Sequence, residues 1–408
     1  MSAFDTDVLV IGGGPSGVAA AIELRRQGAK RVVLLDREPA LGGATRHCSH
    51  SPFGMLEFGR VYFGAAYGRK LTLEAEKAGI DIRIGHSVVE LADNGSVLVA
   101  SAHGAERIAA QRVIVTTGAR EKPRSARLIS GDRPLGVVTT GTLQSYLAFH
   151  GLLPFRRPLI VGSELVSLSA VLTCLTHGAR PVAMIEPRTH ALARAPLTWF
   201  PTMMGIPFHR GTDLVEIVGR DRVEAVKIRR GGAVETIACD GVLLTGQFTP
   251  ESALFLQSPI GVDRASAGPA VDQHGRSHNP LYFAAGNVLR AVETGGWAYR
   301  EGRSIGRAVA DDLQREPDAG APVPVSFDAP IKLVVPNILR RTSSISTAFR
   351  EFQLRVLRRV RGRLSLEIDG QQIWQSSGTW SPERRILVPI PPKAPDARQV
   401  HFRFREEE

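Results

Sequence analysis

The stretch DVLVIGGGPSGVAAAIELRRQG, residues 7–28, decides the fold of the first part of the chain. An apolar run of the length of a buried strand ends in three glycines, and an amphipathic helical pattern follows and stops at Gly28. RVVLLDRE, residues 31–38, then has the composition of a second buried strand. A strand, a glycine turn, a helix and a strand in this order predict one βαβ unit of a parallel sheet.

The glycines of this turn have the spacing GxGxxG, at Gly12, Gly14 and Gly17. The first permits a tight turn, the second lets the backbone approach a pyrophosphate, and the third lets the helix pack closely on the strand. The pyrophosphate would lie at the helix N-terminus, where unpaired amides and the helix dipole favour negative charge. Asp36 ends the next strand, 19 residues after Gly17, and is placed to accept a hydrogen bond from a ribose hydroxyl. These features together predict a dinucleotide site.

Two further strands end in glycine turns, VIVTTGARE at 113–121 and LYFAAGN at 281–287. With the first turn they resemble the three FAD fingerprints of the two-dinucleotide-domain flavoproteins, the glutathione-reductase-like superfamily, over roughly residues 5–316. The third fingerprint usually ends in Gly-Asp, whose Asp touches the ribityl chain; here Asn287 stands in that place and can still bond a hydroxyl. The resemblance implies FAD, and a plain NAD-binding Rossmann domain is the alternative. It implies these cofactor-binding residues: Gly12, Gly14, Pro15, Ser16, Gly17, Asp36, Arg37, Gly42, Gly43, Thr117, Gly118, Gly286 and Asn287.

A second βαβ pattern covers residues 156–186, but its loop reads GSELVS from Gly162 to Ser167. Glu164 and Ser167 stand where the superfamily has glycine, and Ser167 is expected to loosen the helix–strand contact. Glu164 would place a negative charge beside the diphosphate of the nucleotide. Two such charges about 4 Å apart at an effective dielectric of about 20 repel by about 4 kcal/mol, which would weaken nucleotide binding by roughly three orders of magnitude. Glu186, which ends the next strand, disfavours the extra phosphate of NADPH. We therefore expect no NAD(P)H binding, whereas a loop that turned Glu164 outward would permit an NAD(P)H-dependent flavin reductase.

The segment LGGATRHCSHSPFG, residues 41–54, follows the first βαβ unit, where the superfamily places residues beside the flavin ring. Arg46, His47, Cys48 and His50 are the candidate catalytic residues. A histidine could act as a base near neutral pH, a cationic side chain could stabilise reduced flavin, and Cys48 as a thiolate could touch the ring. The alternative is that these residues only pack the loop. The segment has a single cysteine and no fourth metal ligand, so neither disulfide reduction nor a metal site is expected.

The same segment resembles the FAD subunits of multi-component dehydrogenases. These include subunits of opine, hydroxyproline and dye-linked proline dehydrogenases, hydrogen cyanide synthase, and flavoproteins associated with glycerol-3-phosphate dehydrogenase. The resemblance implies a small amine, amino acid or hydroxy acid as substrate, with a second flavoprotein subunit or a small iron–sulfur protein as partner. No cysteine follows Cys239, so any cluster would lie on another polypeptide. A non-catalytic scaffold with structural FAD is a further alternative.

The stretch AVETGGWAYREGRSIG, residues 291–306, predicts a helix whose N-terminus can face the flavin pyrimidine and favours negative charge there. Glu293, Trp297 and Tyr299 could line a pocket at this end of the helix. Alternatively, Trp297 belongs to the core.

The predicted fold class is α/β, with two Rossmann-like dinucleotide-binding domains, the second inserted in the first, and a small C-terminal β-rich domain. We assign residues 1–122 and 242–316 to the FAD-binding domain and 123–241 to the NAD(P)-binding-like domain. A Pro- and Ala-rich linker is predicted at 317–330, and the β-rich domain at 331–408. Its basic stretch RVLRRVRGR, residues 355–363, either docks on an acidic partner or an anionic membrane or forms a strand with one solvated face.

The composition is that of a globular protein, with 43% apolar residues among 408 and no apolar run long enough to span a bilayer. The N-terminus enters a strand without a basic leader, so we expect a cytoplasmic protein. The net charge of +11 favours an anionic partner, but only seven of the 51 basic residues are lysine, which is also typical of a genome rich in arginine codons. Nothing resembles a nucleic-acid-binding motif. Three scattered cysteines exclude a disulfide framework.

Overall fold

A computed structural model of the chain describes residues 4–50, 52–315, 321–341 and 346–407. The helices are α1 (Pro15–Arg26), α2 (Met55–Phe58), α3 (Gly64–Lys77), α4 (Thr140–His150), α5 (Leu165–Thr176), α6 (Phe200–Met203), α7 (Ala253–Leu256) and α8 (Gly295–Asp312). The first strands are β1 (Thr6–Ile11), β2 (Val32–Asp36), β3 (Asp81–Ile84), β4 (Ser87–Leu91), β5 (Ser96–Ser101), β6 (Gly104–Val115) and β7 (Ala119–Glu121).

The middle of the chain adds β8 (Ser130–Gly131), β9 (Val137–Thr139), β10 (Pro158–Val161), β11 (Ala183–Glu186), β12 (Phe208–Arg210), β13 (Thr212–Val218), β14 (Ala225–Arg230), β15 (Ala233–Ala238), β16 (Gly241–Leu244) and β17 (Phe248–Pro250). The last strands are β18 (Tyr282–Ala284), β19 (Pro322–Phe327), β20 (Ile331–Val335), β21 (Ile338–Arg340), β22 (Glu351–Val356), β23 (Val360–Ile368), β24 (Gln371–Trp380), β25 (Ile386–Pro389) and β26 (Val400–Glu406). The described chain divides into two compact units. The first comprises described residues of 1–46, 52–119 and 250–408, and the second those of 47–51 and 120–249.

The first unit is built on a parallel sheet in which β1 lies between β2 and β6. β3 extends the sheet beyond β2, and β18 pairs in parallel with the C-terminal half of β6. The N-terminal half of β6 continues into an antiparallel meander with β5 and β4. Every residue of β2 is buried, as expected of a parallel strand covered on both faces. The carboxyl ends of β1, β6 and β18 therefore lie side by side, and each is followed by one of the predicted glycine turns.

Helices α1 and α8 pack against each other almost backbone to backbone. A Cβ on Gly302 would overlap the carbonyl oxygen of Ser16, and one on Gly306 would lie 2.6 Å from the carbonyl oxygen of Ala20. Small residues on both helices thus allow a close approach that larger side chains would prevent. As a result, α8 packs directly on α1, including the first turn of α1 that follows the glycine turn.

The C-terminal residues form two sheets, β21-β19-β26-β23-β24 and β20-β22-β25, around a core of their own. Phe352 and Phe402, from different sheets, meet edge to face in this core with ring centroids 5.1 Å apart. Leu333, Val335 and Phe349 are buried in the core of the first sheet instead. The predicted β-rich domain is present, and its described residues belong to the first compact unit.

The second unit repeats the βαβ pattern in a five-stranded parallel sheet, β12-β11-β10-β16-β9. A second sheet, β15-β14-β13-β8, packs with it around buried residues that include Ile217 and Val226. Helix α5 connects β10 to β11 and contacts both α4 and α6. The two Rossmann-like domains and the insertion of the second into the first agree with the predicted fold class.

Two predicted boundaries differ from the structure. Residues 242–249, predicted in the FAD-binding domain, belong to the second unit because β16 pairs with β10 and β9. The predicted linker at 317–330 contains β19, which pairs with β26 and β21, so the prediction is wrong for these residues. Residues 317–320 of the linker lie outside the described residues. No helix of the described chain combines the length and apolar character needed to cross a membrane.

Candidate cofactor site

The first glycine turn has the geometry that its spacing predicts. Gly12 has φ +107° and donates its amide to Leu35 O at 2.8 Å, which extends the parallel pairing of β1 with β2 into the glycine turn. A Cβ on Gly17 would overlap the carbonyl oxygen of Gly12, so only glycine lets α1 start this close to β1. A Cβ on Gly14 would meet only the Cα of Gly43, at 4.0 Å. The backbone at Gly14 is therefore open to a ligand.

The N-terminus of α1 supplies donors beside this opening. Pro15 occupies the first turn of the helix, and the first intrahelical bond runs from Val18 N to Gly14 O. The preceding amides of the helix have no intrahelical acceptor. Ser16 Oγ is buried and has no hydrogen-bond partner among the described residues. Because an orphaned buried hydroxyl at a helix N-terminus is costly unless a ligand satisfies it, these residues fit a bound pyrophosphate.

Asp36 lies at the end of β2 and faces the same turn. Its carboxylate accepts hydrogen bonds from Gly13 N at 2.7 Å and from Glu38 N at 2.9 Å. Burial raises the pKa of Asp36, although both backbone bonds oppose the shift. Each oxygen keeps a lone pair, so the carboxylate can also accept from a ribose hydroxyl. Arg37, also predicted to bind the cofactor, has a side chain that is 67% exposed, and its Nε lies 3.9 Å from Oε1 of its neighbour Glu38.

The paired glycines after β2 fold back onto the first turn. Gly42 donates its amide to Gly13 O at 2.7 Å, and a Cβ on Gly43 would lie 3.1 Å from the Cα of Gly14. The side chain of Arg46 packs along Gly42, and its guanidinium contacts Glu38 at 3.3 Å. Arg46 thus belongs to the first compact unit and flanks the predicted site.

The second fingerprint follows β6. Thr117 Oγ1 donates to Glu251 O at 2.7 Å, and Glu251 N donates to Gly118 O at 2.9 Å. Gly118 has φ +80°, and a Cβ there would meet no atom within 4 Å. This turn therefore has the predicted position at the carboxyl edge of the sheet.

The third fingerprint, after β18, is fixed by a buried ion pair that the sequence did not indicate. Gly286 N donates to Glu301 Oε1 at 2.7 Å, and the guanidinium of Arg290 pairs with the same carboxylate. Asn287 donates to Glu293 O at 3.1 Å and accepts from Glu293 N at 2.7 Å. Asn287 keeps one amide hydrogen and one lone pair for a ligand. An acidic residue within the first two turns of the glycine-rich helix that follows the fingerprint is a signal that could have identified Glu301.

The predicted catalytic run is divided between the two units, because residues 47–50 are assigned to the second unit. The His47 ring meets Phe149 of α4 edge to face, with centroids 6.3 Å apart. Cys48 Sγ lies 3.8 Å from Gln144 Oε1, and burial raises the pKa of this thiol to about 12. At neutral pH Cys48 is therefore a thiol, not a thiolate. His50 is partly buried in the same segment.

In the second unit, the side chain of Glu164 points toward the interior of the altered glycine loop. Glu164 is buried, and Thr245 Oγ1 donates to its Oε2 at 3.1 Å. A Cβ on Gly162 would lie 2.6 Å from the same oxygen, and a Cβ on Gly246 would overlap Oε1. The carboxylate thus lies in the space that these glycines leave. Ser167 is fully buried, and its hydroxyl donates to Glu164 O at 2.6 Å, closing the first turn of α5.

The charges around this loop disfavour a bound phosphate. Burial lowers the pKa of Arg127, while the nearby carboxylates of Glu121 and Glu164 oppose the shift. Burial also raises the pKa of Glu121. Two carboxylates against one guanidinium leave the loop negative when all are ionised. Glu186, at the end of β11, is buried and accepts a hydrogen bond from Ser163 Oγ.

Comparisons with known proteins agree with this architecture. The family described as Pyridine nucleotide-disulphide oxidoreductase matches residues 6–302. The alpha subunit of sarcosine oxidase from Rhizobium meliloti is 28% identical over 60% of this chain, which spans only 24% of that relative's length. An opine oxidase subunit from Agrobacterium tumefaciens is 24% identical over 95% of this chain and 75% of its own length. Thioredoxin reductase of T. acidophilum, 22% identical, has the same fold over 76% of this chain and 99% of its own, with a TM-score of 0.63.

Proposed function

Because the chain belongs to the pyridine nucleotide-disulphide oxidoreductase family, it is an FAD-dependent oxidoreductase, and we propose that it is the flavoprotein subunit of a multi-component dehydrogenase. The proposed substrate is a small amine, amino acid or hydroxy acid, and the proposed electron acceptor is a partner subunit. Relatives named as subunits of sarcosine and opine oxidases support both parts. The partner would be a second flavoprotein subunit or a small iron–sulfur protein.

The residues of the first unit would hold the cofactor. The free amides at the start of α1 and the Ser16 hydroxyl would bind the pyrophosphate, and Asp36 would bind a ribose hydroxyl. Asn287 would bond the ribityl chain with its remaining amide hydrogen or lone pair. When bound, FAD supplies an acceptor for two electrons from an organic donor.

We further propose that the electrons do not come from NAD(P)H, and the position of Glu164 supports this. Its buried carboxylate lies between Gly162 and Gly246, where a dinucleotide loop needs empty space for a pyrophosphate. A phosphate in that space would have to displace the carboxylate and would meet its negative charge. An enzyme whose second loop is closed in this way has to accept electrons from another donor.

The test is an anaerobic titration of the FAD-loaded chain with NADH and then NADPH, following the visible absorbance of the flavin. We expect no bleaching at millimolar nucleotide and full bleaching by dithionite, which controls for a redox-active flavin. Bleaching at micromolar NADH or NADPH would overturn the proposal and identify an NAD(P)H-dependent flavin reductase.

Acid–base catalysis by His47 or His50 stays a prediction. A His47→Ala variant that retains FAD and full turnover with the eventual substrate would remove His47 from the mechanism. A cytoplasmic location is proposed as well, and it is supported by Cys48, Cys174 and Cys239, which form no disulfide among the described residues.

A further inference from the structure

Three arginines converge on one carboxylate at the N-terminal end of α8. Arg290 Nε lies 3.6 Å from Glu293 Oε1, and the guanidinium of Arg355 in β22 bonds the same oxygen. Arg385, which precedes β25, lies 3.9 Å from Glu293 Oε2. Two of the three cations therefore come from the C-terminal β-rich domain. Together with Glu301, which pairs with Arg290, the three arginines and Glu293 are here called the α8 charge cluster.

The α8 charge cluster carries three positive charges and two negative ones. Four of its five side chains are at most 7% exposed, and Arg385 is 16% exposed. Arg355 Nε is buried without a hydrogen-bond partner among the described residues. Burial lowers the pKa of Arg355 despite the opposing charge of Glu293, and the neighbouring Arg290 and Arg385 lower it further. An unmatched positive charge in such a place is costly unless an anion compensates it.

Arg300 and Glu57 also lie beside the α8 charge cluster, and their opposite charges cancel. Arg300 is exposed and lies 5.3 Å from the ring centroid of Trp297. Glu57 bonds Tyr67, and its Oε2 would lie 3.0 Å from a Cβ on Gly296. Counting both, this end of α8 still has one excess positive charge, and the helix dipole adds to the positive potential.

Arg385 is the member of the cluster that a solute can reach. Its guanidinium carbon lies 3.8 Å from the ring centroid of Trp297, whose side chain is 39% exposed. The indole holds the guanidinium by a cation–π contact, and within the described part of the chain the side-chain N–H groups of Arg385 make no hydrogen bond, since Glu293 is 3.9 Å away. A planar guanidinium held in this way presents a fork of N–H groups that matches a carboxylate.

We propose that Arg385, held on Trp297 and backed by Arg355, binds the carboxylate of a small organic acid at the N-terminal end of α8. The ligand class is an amino acid or hydroxy acid, and this part of the proposal rests on the proposed function. The C-terminal β-rich domain would thereby contribute a ligand-binding residue, Arg385, to the site at the N-terminal end of α8.

Calorimetric titration of the FAD-loaded full-length chain tests the site with three matched probes. N-Methylglycine carries a carboxylate and a secondary amine, acetate carries only the carboxylate, and dimethylammonium chloride carries only the amine. We expect saturable binding of N-methylglycine that acetate competes away and dimethylammonium does not. Arg385→Gln should weaken binding at least tenfold, and Arg385→Lys, which keeps the charge but loses the fork, should weaken it less.

Arg361→Gln is the matched control, because Arg361 also belongs to the C-terminal β-rich domain and its side chain is 72% exposed. It should leave binding unchanged. Absence of saturable binding of either carboxylate probe, or equal binding by Arg385→Gln and the unaltered chain, would overturn the proposal. The titration needs no turnover, so its outcome is independent of whether the chain oxidises these probes or any other donor.

Discussion

The carboxylate of Glu301 accepts a 2.7 Å hydrogen bond from the amide of Gly286, although 15 residues separate them along the chain. Glu301 lies on α8, and Gly286 opens the turn of the third FAD fingerprint. The same carboxylate neutralises the buried Arg290, so one side chain both orients the turn at Gly286 and pairs with a buried cation. Helix α8 therefore fixes this turn through a side chain and also packs on α1.

We expect Glu301→Leu to lose FAD and to be less stable than the unaltered chain by about 3 kcal/mol, because the buried Arg290 loses its closest carboxylate and keeps only Glu293, 3.6 Å away and shared with Arg355. The measurements are the FAD content after gel filtration and the free energy of unfolding in urea. The double variant Glu301→Leu with Arg290→Met should recover most of the stability but not the FAD affinity, since Gly286 N still lacks its acceptor. Full FAD retention by either variant would show that the Glu301 bond does not hold this turn.

The fold was predictable from local patterns, because a glycine turn between two apolar strands has few solutions in a compact domain. The three glycine turns could also be predicted, since each needs glycine at fixed positions, whereas their binding of FAD stays a prediction. The side chains that fix the third turn could not be predicted, because Glu301 and Arg290 come together only through the packing of α8 in the folded chain. Arg355 is the clearest case: it belongs to the basic stretch 355–363, interpreted either as a docking segment or as a strand with one solvated face, and its side chain is buried against Glu293.

The misplaced boundary at residue 242 has a different cause. GVLL, residues 241–244, is a short apolar run, and such a run predicts a buried strand without indicating its sheet. Only the pairing with β10 assigns it to the second unit. The strand at Pro322–Phe327 was missed because its prolines are typical of a linker, whereas here they lie in a strand that pairs with β21 and β26.

Replacement of Glu164 by glycine should reopen the second nucleotide site. We expect Glu164→Gly to bind NADH at least tenfold more tightly than the unaltered chain, because both the buried carboxylate and its charge are removed. Glu164→Gln keeps the volume and removes only the charge, so it should gain less. Binding is measured by calorimetry with the FAD-loaded variants. If neither variant gains affinity, the site is closed by something other than Glu164.

Glu23 of α1 forms ion pairs with Arg303 and Arg307 of α8. We expect the contribution of these ion pairs to the free energy of unfolding to decrease in acid. Burial alone would raise its pKa, but hydrogen bonds from Gln27, Arg307 and Arg303 outweigh burial and leave the pKa lowered. A lowered carboxyl pKa stabilises the fold above the ordinary value of 4.5 and ceases to do so as the pH falls through the folded-state pKa. We therefore expect Glu23→Gln to be about 1 kcal/mol less stable at pH 7, a modest value because both arginines are half exposed, and equal in stability near pH 3.

Urea unfolding of the FAD-loaded chain between pH 7 and pH 3 measures this difference. Glu76→Gln, at an exposed position of α3, is the matched control and should behave as the unaltered chain throughout. A difference between Glu23→Gln and the unaltered chain that grew on acidification would contradict the lowered pKa.

We expect all three cysteines to react slowly with alkylating reagents, because their thiols are buried and largely protonated. Burial raises the pKa of Cys48 and Cys174 from 9.0 to about 12 and that of Cys239 to about 11. At pH 8 the thiolate fraction at pKa 12 is roughly a thousandth of that at pKa 9, and only the thiolate attacks iodoacetamide. We expect mass spectrometry to find all three cysteines unmodified in the native chain and modified in urea. Rapid modification of Cys48 alone in the native chain would instead identify a thiolate suited to the role first predicted for it beside the flavin.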